Sequence, residues 1–283
     1  MNPIFSRTLK ALCTVSLVAL LSACGASSTV EPFKPTRVVG LGDGFNAVAA
    51  TVDDGTTTRT VFGQVAAYFG QSNLESYASS GQKAADLASQ ITMATNAGGF
   101  SSGDLVVIAV GTHDVIDGTN LTDVKRDLVA AVRSLLAGGV KHVLIMPVLD
   151  VSRTPWGRAN TNTVSATATN TLNEAVLLAL STAFGGQTPN SVIYANASGV
   201  TSLFLMATSA PVFSPFTDTG FSSTIAAGTT PACGDPTVFT GCASAAANAS
   251  YTTMLFADGI HLTPAGNRWV AGYLYNATAQ GWR

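Results

Sequence analysis

Along the chain, short apolar runs alternate with longer segments whose apolar positions recur every three or four residues. The runs Arg37 to Leu41, Leu105 to Val110, His142 to Val148 and Val192 to Ala195 read as buried strands, with a weaker one at Leu74 to Ala78. Helical spacing fills the intervals at Val61 to Phe69, Lys83 to Thr92, Thr122 to Leu136, Thr167 to Phe184 and Pro264 to Ala277. Gly138-Gly139 stops the third of these helices, and Pro264 suits the first turn of the last. Strands that are apolar throughout, separated by helices, predict an α/β domain with a parallel sheet covered on both faces. Sheets of that kind bind ligands at the carboxyl ends of their strands.

One long interval breaks the alternation. Ala207 to Ser250 is rich in Pro, Gly, Ser, Thr and Ala and carries no period. A connection of this length inside a compact domain is functional or stapled. Phe213, Phe216 and Phe221 either shape an apolar pocket or pin the segment to the core.

The first residues read as a targeting segment. Arg7 and Lys10 form a basic region, Ala11 to Leu21 an apolar stretch, and Leu21-Ser22-Ala23-Cys24 looks like a bacterial lipobox. The apolar stretch is too short for a spanning helix. This predicts a lipoprotein signal peptide over 1–23, lipidation at Cys24, a tether over 24–35 and a single domain over 36–283. Two acyl signals on Cys24 would anchor the chain stably to a membrane. Gly25 after the cysteine favours the outer membrane, on its periplasmic or surface face. Cleavage leaves 260 of 283 residues, enough for one full core. Cys233 and Cys242 then remain, and in an oxidising envelope they are expected to pair as a disulfide stapling the insert around 207–250. No histidine lies near either in sequence, so a zinc site is disfavoured and no metal or other cofactor is expected.

Charged residues make up 11% of the chain and the net charge is −2, which offers no basic footprint for nucleic acid. The chemistry lies instead in short blocks at the ends of the predicted strands. Asp258 and His261 are three residues apart, so a tight turn lets the carboxylate fix the imidazole tautomer. The alternative is a helix cap, with Thr263 or Asp258 capping the Pro264 helix and His261 merely nearby. Upstream stand Gly42-Asp43-Gly44, Tyr77-Ala78-Ser79-Ser80-Gly81 and Gly111-Thr112-His113-Asp114.

In order and spacing these four blocks resemble the SGNH/GDSL family of ester hydrolases across nearly all of the mature chain. The resemblance implies a three-layer α/β/α, flavodoxin-like fold with a central parallel sheet of about five strands. It assigns Asp258 and His261 to the acid–base pair. Gly44, Gly81 and His113 fall at the oxyanion-hole positions, His113 standing where the family has asparagine. Gly44 also stands at the nucleophile position, where the family has serine. The cysteine-paired insert before the Asp-x-x-His block resembles the lecithinase/haemolysin-like branch.

A glycine offers no oxygen for an acyl-enzyme. Losing the nucleophile of a serine triad costs roughly 10⁶-fold in turnover. The expectation is therefore a pseudoenzyme-like lipoprotein that binds an acyl-ester or acetylated small-molecule or lipid ligand, with serine-esterase turnover impaired or lost. Two rivals stand beside it: an active hydrolase in which Asp258–His261 activates water, and a non-catalytic structural or binding envelope lipoprotein. Ser79 and Ser80 are the nearest candidates for a relocated nucleophile. Asp43 and Asp114 are expected to brace their own turns.

Overall fold

The computed structural model describes residues 32–56, 58–161, 163–185, 191–195, 199, 231–233 and 254–282. Its sheet has five parallel strands: β1 (Arg37–Gly42), β2 (Leu74–Ser76), β3 (Asp104–Ala109), β4 (His142–Met146) and β5 (Val192–Tyr194). They lie in the order β2-β1-β3-β4-β5. The helices are α1 (Val61–Tyr68), α2 (Leu87–Asn96), α3 (Thr112–Ile116), α4 (Leu121–Ala137), α5 (Pro155–Ala159), α6 (Ala166–Phe184) and α7 (Pro264–Gly281). This is the expected α/β architecture. Its strand order is that of flavodoxin-like sheets, with the direction reversal beside β1.

The three central strands need cover on both faces, and they have it. Leu105, Val106, Val107 and Ile108 of β3 are wholly buried, as are Val143 and Leu144 of β4. Helices α1 and α7 pack together, while α2, α4 and α6 form a second contiguous set. A continuous apolar run thus becomes a strand because neither of its faces meets water.

Three boundaries differ from the sequence pattern for local reasons. The fourth strand ends at Met146, since Pro147 has no N–H for the ladder. The segment at Lys83 begins as a 3-10 turn (Ala84–Asp86), and the α-helix starts only at Leu87. There the Asp86 carboxylate accepts from the Lys83 N–H, and the Ala84 N–H donates to Asp114 instead of continuing a ladder. His113, expected in a block at a strand end, lies in the first turn of the short α3, whose entry is Gly111 at φ +117°.

The signal segment, Cys24, Cys242 and all three insert phenylalanines lie outside the described residues. Residues 231–233 are described. Ala232 and Cys233 donate to the Phe256 and Ala257 carbonyls, and Cys233 packs on a small cluster of Val52, Ala232, Met254 and Ala257. The described end of the insert is therefore tied to the chain one residue before Asp258. No helix among the described residues is long and apolar enough to cross a membrane.

Candidate active site

The site assembles where β1, β2 and β3 end and α7 begins. Gly42 closes β1 at φ +112°, and a side chain there would collide with the Ala109 carbonyl group, so only glycine allows this close approach. The Asp43 N–H donates to the same carbonyl at 2.7 Å. Gln90 of α2 completes the clamp. Its Oε1 accepts from the Gly42 N–H (2.7 Å) and its Nε2 donates to the Gly42 carbonyl (2.8 Å). Asn46 holds the far side of the turn, donating to the Leu41 and Val107 carbonyls and accepting from the Phe62 N–H. A buried side-chain amide that satisfies two backbone groups at once fixes the path of the turn more tightly than apolar packing does.

The C-terminal block realises both sequence readings. Thr263 caps α7, its hydroxyl accepting from the Gly266 N–H. That leaves Asp258 free to pair with the histidine: Oδ2 meets His261 Nδ1 at 2.8 Å, and Oδ1 accepts from the Ile260 and His261 N–H groups at 2.8 and 2.7 Å. Burial alone would raise the Asp258 pKa, but His261 and these N–H groups outweigh it and hold the carboxyl below its usual range. Asp258 is thus a carboxylate, so Nδ1 carries the proton and the neutral ring presents its lone pair at Nε2. Burial pulls the His261 pKa down, yet the Asp258 charge and hydrogen bond, aided by Asp43, lift it above the ordinary histidine value. Nε2 makes no hydrogen bond among the described residues.

Gly44 and His261 meet directly. A methyl group built on Gly44 would lie 2.8 Å from His261 Cε1 and closer still to Cδ2 and Nε2. The imidazole fills the space that a side chain at position 44 would need. Phe45 closes the ring's flank edge-on, with centroids 5.8 Å apart.

The other expected donors lie in the blocks that follow β1, β2 and β3. Neither the Gly44 N–H nor the Gly81 N–H makes a hydrogen bond among the described residues, which leaves both available to an oxyanion. The Ser79 N–H donates to the Gly42 carbonyl (3.3 Å), tying the second block to the first. His113 is buried and senses the charge of His261. Burial first, and then that charge, lower its pKa, so at neutral pH it is an uncharged imidazole.

Asp114 reaches beyond its own turn. Its Oδ2 accepts from the Ala84 N–H (2.9 Å), bracing the second block against the third across two loops. Asp43 does brace the first turn, through Oδ1 and the Phe45 N–H, but its Oδ2 is buried without a hydrogen-bond partner. Burial raises its pKa to about 6, with Phe45 and the His261 charge holding it back.

Three contributors, Asn46, Gln90 and Trp156, escaped the sequence reading. Gln90 left a trace, a polar residue in the apolar stripe Leu87, Ile91 and Ala94. Trp156 of α5, whose backbone N–H donates to the Gly259 carbonyl (2.8 Å) and supports the turn between Asp258 and His261, left none. Among the described residues no cluster of His, Cys, Asp or Glu could hold a metal ion.

The family model described as GDSL-like Lipase/Acylhydrolase matches residues 38–274, a span that includes every residue of this site. Among solved structures, the chain is similar to a protein of the SGNH-hydrolase type from Slackia heliotrinireducens, at 15% identity and a TM-score of 0.50, over 86% of this chain and 99% of that one. It is also similar to the acetyl xylan esterase AlAXEase, at 14% identity and a TM-score of 0.52, over 85% and 98% of the two chains. At such identities the likeness shows the fold alone. No curated protein matches the sequence significantly.

Proposed function

The chain belongs to the GDSL-like lipase/acylhydrolase family, and on that premise we propose that it binds acyl-ester or acetylated ligands with serine-type esterase turnover lost. The observation that carries this reading is the meeting of Gly44 and His261. The nucleophile turn has no hydroxyl, and the acid–base partner has taken its place. In a serine triad the base must stand a hydrogen bond away from the hydroxyl, about 2.6–3.2 Å. Here the ring stands too near the position-44 backbone for a side chain to fit between.

What survives is a binding rim. The open N–H groups of Gly44 and Gly81, with neutral His113 beside them, can still polarise an ester carbonyl. The test is paired. The protein should show no hydrolysis of alkyl esters such as tributyrin, yet an ester or its isosteric ketone should shift the NMR signals of the Gly44 and Gly81 amides. Robust tributyrin hydrolysis would sink the proposal.

The finer placement belongs to the same reading. We take the protein to be of the lecithinase/haemolysin-like branch, lipidated on Cys24, held on the outer membrane and stapled by Cys233–Cys242. Support comes from the lipobox-like sequence and from the tie between Cys233 and Ala257 beside the site. Intact mass of the envelope-extracted protein would check the lipid and the disulfide together.

A further inference from the structure

We propose that His261 itself is a nucleophile toward small activated acyl donors, such as aryl esters and thioesters, forming an acyl-imidazole at Nε2. The inference rests on the loss of the serine nucleophile set out above, and it adds the class of substrate that the altered site can still turn over.

Three observations converge on it. The imidazole occupies the station of the position-44 side chain, so Nε2 stands at the turn where the family carries its nucleophile. Nε2 has no hydrogen bond among the described residues, while the opposite nitrogen is held at 2.8 Å by the Asp258 carboxylate. The free lone pair therefore points away from the acid, and the ring's electron density is raised from behind. Finally, the Gly44 and Gly81 N–H groups are unused, so the oxyanion formed by attack has donors ready. Histidine is a competent covalent nucleophile when so arranged. His261 keeps only 2% of its surface exposed, which favours an acyl group of acetyl size.

The chemistry selects its own substrates. The Nε2 lone pair adds to the acyl carbon, and the carbonyl electrons move onto the oxygen. When the carbonyl reforms, the leaving group departs with the bonding pair as phenolate or thiolate. The acyl-imidazolium that remains keeps its Nδ1 proton against Asp258. Water then adds to the acyl carbon and loses a proton to solvent, and the carboxylic acid leaves as Nε2 recovers its lone pair. An alkyl ester fails at the first step. Its alkoxide is a worse leaving group than imidazole, and His261, being the nucleophile, holds no proton on Nε2 to assist it. The tetrahedral adduct then reverts.

The experiment mixes the protein with p-nitrophenyl acetate under stopped flow, and quenches samples for peptide mass spectrometry. The expected result is a nitrophenolate burst approaching one equivalent, with acetyl located on His261 and discharged faster by hydroxylamine. Ethyl acetate should give neither product nor adduct. The burst should vanish in His261→Gln and slow by more than tenfold in Asp258→Asn, with circular dichroism showing both variants folded. Should His261→Gln not fold, Asp258→Asn carries the comparison alone.

Acetyl on Ser79 or Ser80, nitrophenolate release without acetylated protein, or no release above that of free imidazole would each overturn the proposal. A parallel fluorophosphonate reaction separates the two levels. A serine adduct there would refute the loss of the serine nucleophile as well. Absence of both adducts would refute only the histidine step.

Discussion

Replacing Gly44 by alanine puts the relation between the turn and the imidazole under direct load. The backbone of Gly44 does not have a positive φ, so alanine meets no conformational penalty there. Away from any contact, Gly→Ala would stabilise the protein by about 0.4–1 kcal/mol through the unfolded chain. Contact reverses the sign. The new methyl would press on Nε2, Cδ2 and Cε1 of a ring fastened at its other end by the 2.8 Å bond to Asp258. Relief requires the ring to retreat by more than an ångström. Overpacking of this kind costs about 1–3 kcal/mol, and loosening a charge-assisted hydrogen bond adds part of its roughly 1.5–3 kcal/mol. The net expectation is a loss of about 2–3 kcal/mol in urea unfolding, or about 4–12 °C in melting temperature for a domain of this size. In a His261→Ala background the methyl enters vacated space and the loss should disappear. The double-mutant cycle therefore isolates the contact. An alanine variant as stable as the parent, or more so, with no coupling to His261, would refute the reasoning.

Further outcomes follow from the same geometry. Gln90→Ala strips the Gly42 N–H and carbonyl of their buried partner and should cost at least about 2 kcal/mol in chemical denaturation. Gln90→Met, equally unable to pair, should behave alike. Asp43 binds its proton more tightly folded than unfolded, so stability should fall as pH rises from about 4 to about 6 and level off above. The fall should be about 3 kcal/mol, and Asp43→Asn should flatten it in melts recorded across that range. His261 has the same sign, since its folded pKa is raised. Its share of stability is complete below the ordinary histidine pKa and is lost as pH climbs through the raised one. Asp258→Asn removes the main cause of that rise, so the His261 ring protons should titrate at lower pH by NMR. The Asp43 charge, which also raises the His261 pKa, remains in that variant.

The sheet was readable in the sequence because its strands are buried on both faces, which writes them as unbroken apolar runs such as Leu105 to Ile108. The weakest expected strand, at Leu74, has only three residues, and like β5 it sits at the edge with one neighbour only. The acid–base pair was readable because its geometry is local, three residues in one turn. The contributions of Asp114 and Trp156 were not, because each acts across the fold, on Ala84 and Gly259 respectively. Nor could sequence show where the His261 ring would rest once position 44 lost its side chain. Gly42-Asp43-Gly44 announces a missing oxygen, and only the packed structure shows the imidazole in the space. The capping alternative at Thr263 illustrates a further limit. Two local readings of one segment were both true, since different side chains carry them.

The central claim is that this scaffold keeps its Asp258–His261 pair but has no serine poised to form an acyl-enzyme. Intact mass spectrometry after prolonged incubation with an alkyl fluorophosphonate tests it most directly. The account predicts unmodified serines throughout the protein, with no adduct mass on Ser79 or Ser80. A stoichiometric phosphonyl-serine whose formation depends on His261 would contradict it.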